Sequence, residues 1–263
     1  MNFAQRLRDA MATSGSLLCL GLDPQRAASA AAAERECLIL LDACMESVCA
    51  VKPNVAFFER FGSAGWRILE GLRERIPSDR ILLIDAKCGD IGSTAAAYAS
   101  AVFDGLGADA VTVNPLMGRD SVAPFLEWAD RGVFLLTRTS NPGAADFLEQ
   151  PMADGDPLFA RIVATAMTWD PGGRIGYVVG ATDPAAVAVV RRLAGDAPLL
   201  APGVGAQGGD LAATIRAGLD KSGYGLLVPV SRAITSAPEG PGAAAATLRD
   251  AINTVRAAVG EAP

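Results

Sequence analysis

The chain has 263 residues, of which 51% are hydrophobic and 20% are charged, a balance that excludes an intrinsically disordered protein. Its formal net charge of −6 argues against a surface for nucleic acid or for an anionic membrane, because both need clustered lysine and arginine. The sequence contains no histidine, which excludes a Ser-His-Asp triad, a histidine-ligated zinc site and an imidazole general base.

Short apolar runs recur along the chain, and their mostly continuous apolarity predicts strands buried on both faces. The eight predicted strands cover residues 17–22, 48–51, 81–84, 110–113, 132–137, 175–179, 198–201 and 225–228. Helical spacing between them predicts helices over 34–47, 63–75, 93–106, 184–193 and 211–217, with a closing helix over 243–259.

Eight strand–helix units predict an α/β fold, a single-domain (β/α)8 TIM barrel over residues 1–263. An open, doubly wound sheet is the alternative. The longest irregular stretch, residues 140–157, follows the fifth predicted strand, and a stretch of this length in a compact domain is often a functional lid.

Five cysteines without a C-x-x-C spacing predict free, buried thiols, which is typical of a reducing compartment. The first apolar run is too short and too polar at its flanks for a signal peptide or a membrane span. We therefore expect a soluble, cytoplasmic protein that binds neither membrane nor nucleic acid.

The candidate active-site residues follow the predicted strands, since a TIM barrel carries its chemistry at the carboxyl ends of its strands. Asp23 follows the first predicted strand, Lys52 the second, and Asp85 and Lys87 the third. Asp85 and Lys87 are two residues apart, so an extended strand would project both to the same side. Buried Asp and Lys are rarely tolerated unpaired, so we expect Lys52, Asp85 and Lys87 to form an alternating array of charges. The alternative is a structural ion pair on an exposed strand.

Residues 201–210 read Ala-Pro-Gly-Val-Gly-Ala-Gln-Gly-Gly-Asp and follow the seventh predicted strand. Their Gly-x-Gly-x-x-Gly pattern has the form of a dinucleotide-binding turn, with Asp220 downstream. Barrels, however, bind phosphate after strands seven and eight through backbone amides. Because Arg232 follows the eighth strand, we expect a phosphate monoester held by Gln207, Arg232 and backbone amides. A plain tight turn beside a surface arginine is the alternative.

Four segments together make a specific set of motifs. They are Val-Lys-Pro-Asn at 51–54, Asp-Ala-Lys-Cys-Gly-Asp-Ile at 85–91, Arg-Thr-Ser-Asn-Pro at 138–142 and Pro-Gly-Val-Gly-Ala-Gln-Gly-Gly-Asp at 202–210. The set resembles the orotidine 5′-phosphate decarboxylase family, in its longer bacterial subgroup (type 2). The resemblance implies a TIM barrel, usually a homodimer, that converts orotidine 5′-monophosphate (OMP) to uridine 5′-monophosphate (UMP) and carbon dioxide. This is the last step of de novo pyrimidine biosynthesis, and the family carries it out without metal or organic cofactor.

The resemblance also implies a role for each matching residue. Lys87 would protonate C6 of the pyrimidine, Asp85 would lie against the substrate carboxylate, and Lys52 would orient the charges and contact the ribose. Asp90 would reach into the active site of the neighbouring subunit. The further implied substrate contacts are Asp23 and Thr94 at the ribose, Ile91 beside Asp90, Ser140 at the pyrimidine amide, Pro202 in the loop after strand seven, and Gln207 and Arg232 at the phosphate.

Three other functions are alternatives to decarboxylation of OMP. A keto-gulonate phosphate decarboxylase or a hexulose phosphate synthase resembles the Asp-x-Lys-x-x-Asp segment but uses magnesium and an enediolate. The absence of histidine, and the presence of Lys52 and Gln207, count against it. A non-catalytic nucleotide-binding barrel would keep only the phosphate site, and an NAD-dependent oxidoreductase would use the glycines from Gly203 to Gly208.

Overall fold

The structure is a computed structural model that describes residues 2–170, 172–204 and 208–260. Its strands are β1 (Leu18–Leu22), β2 (Ala50–Pro53), β3 (Ile81–Cys88), β4 (Ala110–Val113), β5 (Gly132–Arg138), β6 (Ile175–Val179), β7 (Leu199–Leu200) and β8 (Leu226–Val230). All neighbouring strands run parallel, and β8 pairs with β1 to close the barrel. The predicted TIM barrel is therefore confirmed, and the open sheet is wrong.

Helices connect these strands on the outside of the barrel. They are α1 (Phe3–Ser14), α2 (Ala30–Cys44), α3 (Ala56–Glu59), α4 (Ser63–Arg75), α5 (Gly92–Ser100), α6 (Arg119–Val122), α7 (Ala144–Phe147), α8 (Leu158–Ala166), α9 (Pro184–Ala194), α10 (Leu211–Gly218), α11 (Arg232–Thr235) and α12 (Pro241–Gly260). Side-chain caps mark several starts: Asp183 accepts hydrogen bonds from Ala185 N and Ala186 N at α9, and Asp210 accepts one from Ala213 N at α10.

The amino ends of the strands are closed by packing and charge. The ring of Phe3 in α1 meets the ring of Phe134 edge to face, with centroids 5.9 Å apart. Asp109, just before β4, is buried and pairs with Arg6, Arg73 and Arg131. A buried carboxylate with several arginine partners is a fixed structural element. These contacts fill the amino end of the barrel around Phe3 and Asp109.

The segment predicted to be the longest irregular stretch has some regular structure. Residues 140–157 contain the single turn of α7, and an isolated β-bridge pairs Pro151 with Pro157. The five cysteines are free and buried, as predicted. Within the described ranges, no helix combines the length and apolarity needed to cross a bilayer.

Candidate active site

A cavity of about 540 Å³ lies at the carboxyl ends of the strands. Its two sides differ in chemistry. Asp85, Lys52 and Thr112 line the side formed by β2, β3 and β4, whereas Leu136, Val178 and Leu200 line the side formed by β5, β6 and β7. A flat ring that is polar at one edge and apolar elsewhere would match this division, and the apolar wall would strengthen the electrostatic interactions of the charged side.

Three charged side chains meet at the bottom of the cavity, as the sequence predicts. Lys52 Nζ lies 2.9 Å from Asp85 Oδ2, and Lys87 Nζ lies 2.6 Å from Asp85 Oδ1. The side chains of Lys52 and Asp85 are 9% and 12% exposed, whereas that of Lys87 is 47% exposed. Lys52 and Asp85 therefore form a buried pair, and the Lys87 ammonium is the member of the array that the cavity leaves open.

The electrostatics of the array keep Lys52 and Asp85 charged. Burial alone would lower the pKa of Lys52, but the carboxylates of Asp85 and Asp23 raise it above its ordinary value. Burial alone would raise the pKa of Asp85, but the two ammonium groups hold it well below its ordinary range. Asp85 is therefore an anion throughout the neutral range and cannot serve there as a proton donor.

Lys87 reaches the cavity through an irregularity in β3, not through the simple strand alternation that the sequence suggested. Ile84 pairs with Val111 and Cys88 pairs with Val113, so Asp85, Ala86 and Lys87 face the single residue Thr112. This bulge contains the one non-glycine residue with positive φ in the described chain, Lys87 at +51°. Both side chains point into the cavity as predicted, but the reason is the bulge.

Asp23 lies at the end of β1 and also lines the cavity. Its Oδ1 atom is buried and has no hydrogen-bond partner among the described residues. A buried acceptor of this kind is costly unless a ligand donates to it. Asp23 therefore offers an acceptor to a hydroxyl or amide group of whatever enters the cavity.

Ser140 lines the cavity from the segment after β5. Its backbone packs against Gly180, where a Cβ atom would lie 2.6 Å from Ser140 Cα. Arg138 at the end of β5 anchors the same segment by donating to Glu149 Oε1 at 2.7 Å and to Thr182 Oγ1 at 3.1 Å. The position of Ser140 thus depends on glycine at position 180, which leaves room for its backbone, and on the ion pair between Arg138 and Glu149.

The loops after β7 and β8 close the far end of the cavity. Pro202, Gly203 and Arg232 line it, and Gly203 has a φ of +104° that favours glycine. Gly209 packs so closely that its Cβ would lie 2.8 Å from the carbonyl oxygen of Gly203. The guanidinium of Arg232 and the backbone of this tight loop together suit a phosphate group. Gln207, predicted to bind the same group, lies outside the described residues.

Asp90, Ile91 and Thr94 do not line the cavity of their own chain. Asp90 Oδ1 accepts a hydrogen bond from Ile91 N, and Ile91 is 50% exposed. Asp220, the acidic residue of the dinucleotide alternative, is also absent from the cavity: it is buried and accepts hydrogen bonds from Ser222 N and Tyr224 N. Asp220 therefore organises the loop before β8, and the closed barrel gives it no role in binding a dinucleotide.

Within the described ranges, no three Asp, Glu or Cys side chains are grouped as metal ligands would be. Cys88, next to Lys87, is buried, and burial raises the pKa of its thiol to about 11. Cys19, below Lys52 in the barrel, has a pKa raised to about 12, chiefly by burial. Both thiols are therefore neutral near pH 7 and are poor nucleophiles.

Sequence reasoning assigned no role to several polar residues that line the cavity, among them Gln25, Asn54 and Thr112. A signal existed for two of them. Thr112 is the polar residue in the otherwise apolar strand β4, and Asn54 follows Lys52 by two positions at a strand end. Gln25 lies in a loop and is exposed, so no pattern distinguishes it.

The sequence and the fold are similar to those of known proteins. A model of the "Orotidine 5'-phosphate decarboxylase / HUMPS family" matches residues 16–248. The orotidine 5′-phosphate decarboxylase of Roseiflexus castenholzii is 48% identical, with 98% of this chain and 100% of the relative covered. Among solved structures, the OMP decarboxylase of Leishmania donovani superposes with a TM-score of 0.90 at 42% identity, covering 97% of this chain and 99% of that one. The UMP synthase of the same organism gives 0.93 at 44% identity, covering 97% of this chain and 57% of that one.

Proposed function

Since the chain belongs to the orotidine 5′-phosphate decarboxylase / HUMPS family, we propose that it converts OMP to UMP and carbon dioxide. The observation that carries the proposal is the array of Lys52, Asp85 and Lys87 at the bottom of the cavity. Relatives of nearly full length that bear the decarboxylase name support it over the magnesium-dependent members of the wider family.

Lys87 is the proton donor in this mechanism. The bond between C6 and the carboxylate carbon breaks, carbon dioxide leaves, and the electron pair stays at C6. The Lys87 ammonium stabilises that negative charge and transfers a proton to C6, leaving a neutral amine that solvent reprotonates. Its 47% exposed side chain supports this role, because the ammonium is accessible from the cavity while Asp85 holds its position.

Asp85 and Lys52 prepare the site without giving up protons. Asp85 faces the leaving carboxylate, and its charge is balanced by the two ammonium groups. Asp23 and Lys52 bind the ribose, an assignment supported by the orphaned Oδ1 atom of Asp23. Ser140 reads the pyrimidine amide. Remote binding of this kind organises the site for the reaction at C6.

The phosphate occupies the far end of the cavity, against Pro202, Arg232 and the loop that contains Gln207. Phosphate at this place is common in TIM barrels, where the loops after strands seven and eight present backbone amides. The tight packing of Gly209 on Gly203 supports the assignment, because it holds the described part of the loop in one conformation.

The enzyme works as a homodimer in which Asp90 completes the partner's site, with Ile91 and Thr94 beside it. Exposed apolar side chains near Asp90 in the chain or in the fold support this: Ile91, Tyr98, Leu116 and Met117 are 50%, 46%, 59% and 47% exposed. Exposed clusters of large apolar side chains mark interaction sites. A Cβ atom on Gly89 would lie 3.5 Å from the Met117 side chain, so Met117 lies beside the segment that carries Asp90. Five free, buried cysteines support a reducing compartment such as the cytoplasm.

The first test mixes the purified protein with OMP in excess EDTA and follows the ultraviolet spectrum of the pyrimidine as OMP becomes UMP. We expect rapid conversion. Conversion that requires added Mg²⁺ would favour a magnesium-dependent relative, and a folded protein that binds UMP without turning over OMP would favour a non-catalytic barrel.

A further inference from the structure

We propose that Thr112 is a positioning residue for the decarboxylation, holding the backbone of Lys87 and the carboxylate of Asp85 in one arrangement. The proposal rests on the proposed function, because it concerns the same array of charges. Thr112 belongs to β4, is 1% exposed and lines the bottom of the cavity.

The hydroxyl of Thr112 makes two hydrogen bonds at once. Its oxygen accepts from the backbone N–H of Lys87 at 2.9 Å, and its own proton goes to Asp85 Oδ1 at 3.0 Å. A hydroxyl has one donor and two acceptor lone pairs, so the two bonds are compatible. Asp85 Oδ1 is also the atom that Lys87 Nζ contacts at 2.6 Å. Asp85 Oδ1 therefore holds both ends of Lys87, the ammonium directly and the backbone N–H through the Thr112 hydroxyl.

The bulge in β3 explains why such a link is needed. Three residues of β3 face Thr112 alone, and extra residues in a bulge lose their places in the backbone ladder. The N–H of Lys87 finds its partner in the Thr112 side chain. A positive φ is unfavourable for an L-residue such as lysine, so the backbone would tend to relax to a negative φ. The bond to Thr112 opposes that relaxation.

Valine has the shape of threonine without the hydroxyl, and serine keeps the hydroxyl without the methyl group. In Thr112→Val the backbone of Lys87 loses its anchor, and its ammonium shifts relative to C6. We expect kcat to fall about 30- to 100-fold, since small misplacements of a catalytic group have effects of this size. The Kd for UMP should change less than about threefold, and Thr112→Ser should restore kcat to within about threefold of the unmodified enzyme.

The matched control is Thr137→Val. Thr137 is a fully buried threonine of the next strand, β5, and donates to the Val178 carbonyl at 2.6 Å without lining the cavity. This substitution removes an equally buried hydroxyl and should lower thermal stability while leaving kcat unchanged. If Thr112→Val does not fold, the pair Thr112→Ser and Thr112→Ala tests the same hydroxyl in a smaller side chain.

Amide hydrogen exchange at Lys87 tests the contact without relying on turnover. We expect exchange at least about tenfold faster in Thr112→Val than in the unmodified protein, with no such change in Thr137→Val. A protein that turns over OMP, but whose Thr112→Val variant keeps its kcat, would overturn the proposal. Unaltered exchange at Lys87 would overturn it too, even if the protein proved inactive on OMP and the proposed function failed.

Discussion

Lys87 has a positive φ and carries the side chain that the proposed mechanism depends on most. Removing that side chain therefore tests the mechanism directly. Lys87→Ala should reduce kcat by at least about 1,000-fold, because it removes the proposed proton donor and the charge proposed to stabilise C6. UMP binding should persist within about threefold, since the ribose and phosphate contacts lie elsewhere. Turnover under substrate saturation and UMP affinity by calorimetry are the measurements.

Lys221→Ala is the matched control for that variant. Lys221 is an exposed lysine in the loop between α10 and β8, outside the cavity. Its removal deletes the same kind of charge and should leave turnover unaltered. A Lys87→Ala enzyme with near-normal kcat would show that another group protonates C6.

Residue type and spacing were enough to predict the array, but not the way in which it forms. Strong apolar runs that end in Asp or Lys identify Lys52, Asp85 and Lys87, because buried charges need partners. The bulge at 85–87 depends on the register between β3 and β4, which no local pattern in β3 encodes. For the same reason the partner hydroxyl of Thr112 could not be assigned: its importance arises only from the strand opposite.

At the scale of single elements, the segment after β5 depends on one close approach. Gly180→Ala should lower kcat/KM for OMP by about 10- to 100-fold, because a Cβ atom there displaces the backbone of Ser140. Most of the effect should appear in KM, since the chemistry at C6 lies on the other side of the cavity. Steady-state kinetics with OMP provides the measurement.

Gly71→Ala serves as the control for this glycine. Gly71 lies inside α4, and an added Cβ meets nothing within 4 Å. Alanine there should stabilise the protein by about 0.5–1 kcal/mol through helix propensity and leave the kinetics unchanged. Equal kinetics for the Gly180 and Gly71 variants would mean that Ser140 tolerates displacement, contrary to its assignment as the pyrimidine contact.

The elements themselves were well predicted where periodicity is strong. The eight strands and the long helices α4, α9 and α12 follow from buried apolar runs and helical spacing. Short elements such as α3, α6 and α7, four residues each, escaped prediction, because one helical turn has too few positions to show a period. The segment 140–157 illustrates this: its polar, proline-containing sequence indicates a loop, and α7 is a single turn within it.

At the level of the assembly, the proposed homodimer makes activity depend on pairing, because Asp90 would complete the site of the neighbouring subunit. Lys87→Ala and Asp90→Asn subunits should each be inactive alone and should regain activity when mixed. After random exchange about half of the dimers are hybrids with one intact site each, so about one quarter of the unmodified activity should return. Turnover measured after subunit exchange, with exchange itself followed by mass spectrometry of intact dimers, gives the answer. A mixture that exchanges subunits yet stays inactive would place Asp90 in its own chain's site.

Barrel closure was predictable because eight consecutive strand–helix units are compatible with few folds, chiefly a closed barrel or an open, doubly wound sheet. The proposed interface was not predictable in the same way. Leu116 and Met117 are ordinary apolar residues in the sequence, and it is the fold that brings Met117 beside Gly89, one residue before Asp90. The Asp-x-Lys-x-x-Asp motif, not the pattern of hydrophobicity, is the feature of the sequence that indicates this side of the barrel.

Because Lys87 has a positive φ, selection for stability and selection for activity should favour different residues at this position. Glycine adopts this backbone angle without the penalty of about 1–2 kcal/mol that a Cβ atom brings, so a library sorted only for heat resistance should drift toward glycine at position 87. The same library sorted for growth without a pyrimidine supplement should hold lysine there. Engineering this barrel for thermal stability therefore requires that the codon for Lys87 be excluded from the mutagenesis.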